Sequence, residues 1–422
     1  MSSKTKTNAA KEGATHALVP KLRFPEFVGA ANWEIRLLGD LFENRQEPGL
    51  AGLPLLSLMD KEGIVPQEDS NRKNNSNSDK SKYLRVVPGD IAYNTMRMWE
   101  GRSAHVGLEG LVSPAYTVCE PKADVHSLLF SYYFKTPQLI EQFRRYSQGL
   151  VKDTLNLKYA AFSQISVPTP TRPEQQKIAD CLSSVDELIA ALAQKTDALK
   201  THKKALMQQL FPCGGETQPR LRFPEFQNAG EWEVRTIGDM FRLFNGCAFK
   251  PEDWKSTGTP IIRIQNLNDL SAEFNYSQAL VPERSRVESG DLLFAWSGTL
   301  GSSFGARIWN GPSGVLNQHI FKVLMDEQQI TIQFALLVLA RVEEDIAKRT
   351  HGFKASFVHV KKSDLVKVEL LLPSLPEQQR IASCLTSLDD LITAQTQKHE
   401  ALKTHKKALM QQLFPAREAV EA

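Results

Sequence analysis

With 422 residues, 41% of them hydrophobic, and a formal net charge of only +3, the chain has material for two or three domains with real cores and no global basic excess, so any nucleic-acid face must rest on local clustering or on a partner's surface. Five cysteines, Cys119, Cys181, Cys213, Cys247 and Cys384, form no C-x-x-C pair; their scatter and odd number argue against a disulfide framework and read as reduced thiols in a cytosol. No stretch approaches the apolar length needed to span a bilayer.

The chain opens with MSSKTKTNAAKEGATHA, which lacks the apolar core of a signal peptide, so residues 1–19 are expected to be a flexible polar leader. Residues 20–42, PKLRFPEFVGAANWEIRLLGDLF, return at 219–241 as PRLRFPEFQNAGEWEVRTIGDMF. Residues 173–212, PEQQKIADCLSSVDELIAALAQKTDALKTHKKALMQQLFP, return at 376–415 with roughly three positions in four identical. The stretches between these matched ends diverge, apart from Pro88-Gly89-Asp90-Ile91 against Ser289-Gly290-Asp291-Leu292 and a turn glycine, Gly149 against Gly352. A shared frame with unlike inserts suggests one job performed on two targets.

The first divergent region shows β-like runs at 83–87, 91–93 and 116–119, then a helical stretch from about 127 to 146. The second parallels it with runs at 260–264, 292–296 and 320–323 and a helix from about 330 to 348. Each is read as an α+β domain. Their loops hold side chains that suit base edges or phosphate: Asn94, Arg97, Met98 and Arg102 in the first, and Arg263, Gln265, Asn266, Ser297, Asn317, Gln318 and His319 in the second. Exposed Asn, Gln and Arg also occupy ordinary loops. The polar run at 69–82 reads as a flexible surface loop, able to order on nucleic acid, rather than as a defined site.

In the first repeated segment Ile178, Leu182, Val185, Ile189 and Leu192 step by four and three, and Leu199, Leu206 and Leu210 resume the pattern. The second carries Ile381, Leu385, Leu388, Ile392, Leu402, Leu409 and Leu413, with Gln395 and His399 interrupting it. Both read as coiled-coil helices begun by Pro173 or Pro376, with Glu174 or Glu377 beside the positive dipole end. The clusters Lys200, His202, Lys203, Lys204 and Lys403, His405, Lys406, Lys407 suit phosphate, dipole compensation or a solvated face equally.

About 38 helical residues at roughly 1.5 Å each make a rod of about 57 Å. A domain of about 150 residues is only about 40 Å across. The second domain therefore cannot carry the chain back along the rod, and the two helices are expected to run antiparallel, with the divergent domains at opposite ends. Recognition domains held at fixed separation suit a double helix, whose half-sites recur on one face at multiples of about 34 Å. The expected organisation is a 1–19 leader, recognition domain 20–172, spacer helix 173–212, linker 213–218, recognition domain 219–375, spacer helix 376–415 and tail 416–422.

The PEQQ-headed helices ending in LMQQLFP, the LRFPEF…W…GD entries and the two alternated variable domains together resemble the specificity subunit of type I restriction-modification systems across nearly the whole chain. The resemblance implies a non-catalytic subunit whose two target-recognition domains each read one half of a split, asymmetric site on double-stranded DNA. It implies partners: two adenine-N6 methyltransferase subunits and two restriction subunits, with S-adenosylmethionine, ATP and Mg carried by those partners, in a bacterial or archaeal cytoplasm and away from membranes. The helix segments would dock the methyltransferase subunits as well as each other. Residues 94–101 with 112–116 look like one common type of recognition domain and 315–323 like another; Tyr116, and the lysines Lys152 and Lys354 near the turn glycines, join the DNA-contact candidates.

Two enzymatic rivals fail on the sequence. Ser113-Pro114-Ala115-Tyr116 approaches the D/N/S-P-P-Y/F loop of amino-methyltransferases but lacks its second proline, and no glycine-rich cofactor turn with a downstream acid accompanies it. No G-x-x-x-x-G-K-[ST] loop exists for ATP, Asp253-Trp254-Lys255 lacks a preceding metal-binding acid, and no metal-ligand spacing appears. A non-catalytic protein adaptor on a coiled-coil bridge accounts for the rod and repeats, though not for a near-identical frame around differing inserts.

Overall fold

The structure, a computed structural model, describes residues 19–50, 52–59, 63–70, 73, 79–350 and 357–415. Most of the leader, much of the 69–82 loop, Gly352, Lys354 and the tail lie outside these residues. The chain divides into two compact units, one of residues 1–194 with 396–422, the other of residues 195–395.

In the first unit β1 (Glu34–Leu37) leads through α1 (Leu38–Leu41) into β2 (Phe42–Asn44), and β3 (Leu56–Met59) pairs with β4 (Gly63–Pro66). Strands β5 (Leu84–Val86), β6 (Ile91–Asn94), β7 (Ser103–His105), β8 (Gly110–Val112) and β9 (Tyr116–Pro121) follow. The main sheet has the order β2-β9-β6-β7, while β5 pairs with β8. Helices α2 (Ser127–Tyr133), α3 (Pro137–Tyr146) and α4 (Tyr159–Phe162) come next, β10 (Ser166–Thr169) returns to β1, and the 39-residue α5 (Arg172–Leu210) leaves the unit. The core is aromatic: Phe42, Tyr93, Phe130, Phe134, Phe143 and Phe162 are fully buried, with Phe42–Phe130 and Phe134–Phe143 edge-to-face at 5.3 and 5.4 Å. The single helix expected over 127–146 is two helices. Thr136 is extended, with ψ 144°, because it precedes Pro137, whose ring disfavours the helical conformation there.

The second unit repeats the plan. It contains β11 (Glu233–Thr236), α6 (Ile237–Met240), β12 (Phe241–Asn245), β13 (Thr259–Ile262), α7 (Ile264–Asn268), β14 (Asn275–Ser277) and β15 (Arg286–Val287). Then come β16 (Leu292–Ala295), β17 (Ser297–Thr299), β18 (Gly305–Ile308), β19 (Gly314–Leu316), β20 (Ile320–Met325), α8 (Ile332–Thr350), β21 (Phe357–His359), α9 (Lys362–Leu365), β22 (Glu369–Leu372) and α10 (Leu375–Leu413). Its main sheet, β12-β20-β16-β18, matches β2-β9-β6-β7 strand for strand, and β15-β19 answers β5-β8. The strand expected through Ile264 stops at Ile262, where the Asn266 side chain accepts the Arg263 N–H at 3.1 Å and the chain turns into α7.

The matched Gly-Asp turns explain themselves. Gly89 and Gly290 have φ +101° and +98°, a region open to glycine at no steric cost. Their N–H groups donate across the sheet to Val106 and Trp309 carbonyls, and Asp90 and Asp291 accept the Val87 and Glu288 N–H groups at 3.0 and 2.7 Å. Arg45 and Lys322 then pair with the two aspartates.

Both long helices are shared between units, and inside each unit they run antiparallel. In the first, Ile178, Ala179 and Leu182 from the start of α5 lie in one core with Leu413 and Phe414 from the end of α10, and Phe414 stacks on Tyr133 at 4.5 Å. In the second, Ile381, Ala382 and Leu385 from the start of α10 meet Leu210 and Phe211 from the end of α5, and Phe211 stacks on Phe334 at 5.5 Å. Val185, Ile189, Leu192, Leu199, Leu388, Ile392 and Leu402 are half-buried, as coiled-coil flank positions are. Lys406 pairs with Asp186 at 2.6 Å in the first unit, and the equivalent Lys203 with Asp389 at 2.6 Å in the second. One lysine of each basic cluster is thus a helix–helix contact.

Glu174 and Glu377 do more than face a dipole. Each is 1% exposed and receives a two-pronged ion pair, from Arg23 at 2.8 and 2.7 Å and from Arg222 at 2.7 Å through both nitrogens. The arginine of LRFPEF is therefore the partner of the glutamate of PEQQ. The next residues, Gln175 and Gln378, are buried too, accepting the His126 and Thr331 N–H groups and donating to the Pro170 and Pro373 carbonyls. Removing one member of a buried pair leaves an uncompensated charge and costs about 3–5 kcal/mol, whereas exposed pairs contribute about 1 kcal/mol or less. Arg222→Ala should therefore destabilise the protein by about 3 kcal/mol in denaturant unfolding, while Arg145→Ala, which removes the exposed pair with Glu141, should change stability by less than about 1 kcal/mol.

Candidate nucleic-acid interface

In the first unit three loops converge on Thr95, just beyond the end of β6. Its N–H and Oγ1 donate to the Ala115 carbonyl at 3.2 and 2.9 Å, and its own carbonyl accepts the Leu157 N–H at 2.8 Å. The loop after β6, the turn Ser113-Pro114-Ala115 between β8 and β9, and the 147–157 segment therefore share one edge. Met96, Arg97, Pro114, Ala115, Val151 and Lys152 are exposed there, and Leu150 is 101% exposed. A leucine wholly in water has no folding role of its own.

Among the sequence candidates on this edge, Asn94 uses its side-chain oxygen Oδ1 to accept the Met96 N–H at 3.0 Å, which shapes the loop. Arg97 and Arg102 stand 3.3 and 3.7 Å from Glu100, and Arg97 remains more than half exposed. Tyr116 is half-buried against the strand core. Met98 is buried in that unit's aromatic core.

The second unit uses the same hub. The Trp296 N–H donates to the His319 carbonyl at 3.2 Å and the Trp296 carbonyl accepts the Val360 N–H at 2.9 Å. Both hubs, Thr95 and Trp296, stand five residues after the shared aspartate, a spacing that was available to locate them. Arg263, Gln265, Asn317 and His319 line a recess of about 200 Å³ with Ile264 and Ile320. Arg263 is held by stacking over Trp254 at 4.8 Å and by donating to Asn275 at 2.7 Å; Gln265 donates to the Glu273 carbonyl at 3.2 Å. Gln318 is exposed, its amide 3.2 Å from the His319 ring. Ser297 is buried on β17 opposite His359, Asn266 is fully buried, and Lys354 lies outside the described residues. Trp254, Trp296 and Thr95 carry no loop signal in the sequence, because aromatics and threonines signal core and strand first.

Among the described residues no group of His, Cys, Asp or Glu is placed to hold a metal ion, and no helix is long and apolar enough to cross a membrane.

These features define a class: two domains on a common β frame, each presenting its own polar loops and carried on paired long helices. Residues 31–201 and 229–404 match the family described as "Type I restriction modification DNA specificity domain", and the chain belongs to that family. It is 24% identical over 417 residues, 93% of each chain, to the type I restriction enzyme MjaVIII specificity subunit of Methanocaldococcus jannaschii. It is 26% identical over 212 residues, 47% of this chain and 45% of the other, to the EcoKI specificity subunit of Escherichia coli K12. The fold resembles the crystal structure of the type I S subunit from M. genitalium, with a TM-score of 0.56 at 15% identity over 95% of this chain and all of that one. The chain is a DNA-recognition subunit with two recognition domains.

The 147–157 segment depends on Gly149, whose φ is +140° and where a Cβ would lie 2.5 Å from the Thr154 carbonyl oxygen. Gly149→Ala should open this loop, seen as faster proteolytic cleavage between residues 147 and 157, with the remainder of the unit as resistant as before.

Proposed function

We propose that each unit reads one half of a split, asymmetric site on double-stranded DNA, that the paired helices set the unread spacer between the halves, and that the same helices dock two methyltransferase subunits, to which two restriction subunits are added. The observation that carries this reading is the matched backbone hub, Thr95 in one unit and Trp296 in the other, ringed by unlike side chains. Exchange of targets on a constant scaffold produces that pattern, and a protein adaptor has no need of it.

In this reading the subunit performs no chemistry. S-adenosylmethionine, ATP and Mg belong to the partner subunits, and the assembly works in the cytoplasm. Arg97, more than half exposed beside Glu100, and Lys152, exposed on the same edge, act on phosphates. Bases are read by the neighbouring loops.

The direct test is a long-read map of N6-methyladenine in the host with the gene intact and deleted. Loss of methylation at one split, asymmetric motif supports the reading; an unchanged map in cells expressing the methyltransferase subunit overturns it in favour of the adaptor. Adding one heptad to both helices, about 10 Å of rise, should lengthen the spacer in that map and leave both half-sites unchanged. In binding assays on the assembled complex, the double variant Arg97→Ala with Lys152→Ala should weaken all sequences alike and lower the salt slope by about two.

A further inference from the structure

The matched sheets allow residue-by-residue equivalence at the hub. Asn94 faces Tyr116 in one ladder and Ala295 faces Ile320 in the other, so β9 and β20 begin at equivalent places. The turn Ser113-Pro114-Ala115 then corresponds to Asn317-Gln318-His319. Their backbones do the same things: the Tyr116 and Ile320 N–H groups close the turns onto the Ser113 and Asn317 carbonyls, and the Ala115 and His319 carbonyls accept from Thr95 and Trp296. The side chains are opposite in chemistry.

In the first unit the turn presents Pro114 and Ala115 to solvent, beside the exposed Met96. The side chains of Pro114, Ala115 and Met96 offer no hydrogen-bond donor, and the cations of this edge, Arg97 and Lys152, belong to the neighbouring loops. In the second unit Asn317 and His319 line the recess, and Gln318, between them in the chain, is exposed. Of the residues lining the recess, His319 keeps its Nδ1 buried without a hydrogen-bond partner. Apolar side chains recognise the thymine methyl in the major groove, and amide or imidazole groups recognise purine edges.

We propose that this turn is the specificity-determining element of each unit, with Pro114 and Ala115 contacting a thymine methyl and Gln318 and His319 hydrogen-bonding the major-groove edge of a purine. The proposal rests on the split-site reading above. It goes further by assigning base discrimination to one three-residue position and by opposing the two units chemically.

The test uses the full chain in complex with its methyltransferase subunits and selects bound duplexes from a library randomised over both half-sites. Three variants are compared with the wild type: Asn317→Ser with Gln318→Pro and His319→Ala; the milder Gln318→Ala with His319→Ala; and, in the first unit, Pro114→Gln with Ala115→His. Thermal unfolding shows which variants remain folded. The expected result is a preference that falls by about tenfold at one or two adjacent positions of a single half-site, a purine lost for the second-unit variants and a thymine lost for the first-unit variant, with the other half-site and the spacer unchanged. An unchanged motif at unchanged affinity overturns the proposal and leaves the split-site reading standing. So does a uniform loss of affinity in the milder, folded variant. If the wild-type complex selects no split motif, the split-site reading falls and the proposal falls with it.

Discussion

The buried arginine–glutamate pair, formed once in each unit, is the constraint on which the remaining architecture depends. Arg23 comes from the entry segment of the first domain and Glu174 from the first turn of the helix that leaves it, 151 positions later; Arg222 and Glu377 repeat this across 155 positions. Each pair fastens the beginning of a recognition domain to the helix at its end. A buried carboxylate with two charge-assisted bonds fixes direction as well as distance, so everything between the two residues must close on itself as a compact insert. The adjoining glutamine ties the loop before α2 in the first unit, and before α8 in the second, to the same turn.

With both ends of the insert fixed, its middle is open to change. What the two units keep is backbone: the Gly-Asp turn, held by a positive-φ glycine and an aspartate bonded to its own backbone, and the main sheet, whose order is the same in both units. The side chains that differ project from the loops around Thr95 and Trp296. Rigid attachment and variable loops are consequences of the same closure.

The long helices show how far periodicity reaches and where it stops. The four–three spacing of Ile178, Leu182 and Val185 marked an apolar stripe, and the stripe is real. It did not say that Ile178 and Leu182 would be buried in a recognition-domain core while Leu199 stayed half-exposed, because burial depends on which neighbours arrive. The break at Pro137 and the turn at Arg263 likewise follow local rules, a proline ring and a side-chain cap, that runs of apolar residues do not express. Of the DNA-contact candidates, the pair Arg263 and Gln265 and the pair Asn317 and His319 stand about fifty residues apart in the chain yet line one recess, and in the sequence each reads only as a loop residue of suitable chemistry.

What the sequence alone determined was the repeat: two copies of one frame, helices long enough to force an antiparallel return, and inserts that share turns but not side chains. Those follow from length, spacing and identity, which are properties of the chain. Only the tertiary structure decided that the arginine of LRF meets the glutamate of PEQQ, that Lys203 and Lys406 join helices, and that Ser113-Pro114-Ala115 stands where Asn317-Gln318-His319 stands. Each of these is a contact or an equivalence between residues far apart or unlike in sequence, and it is set by strand register and burial, which neither composition nor periodicity encodes.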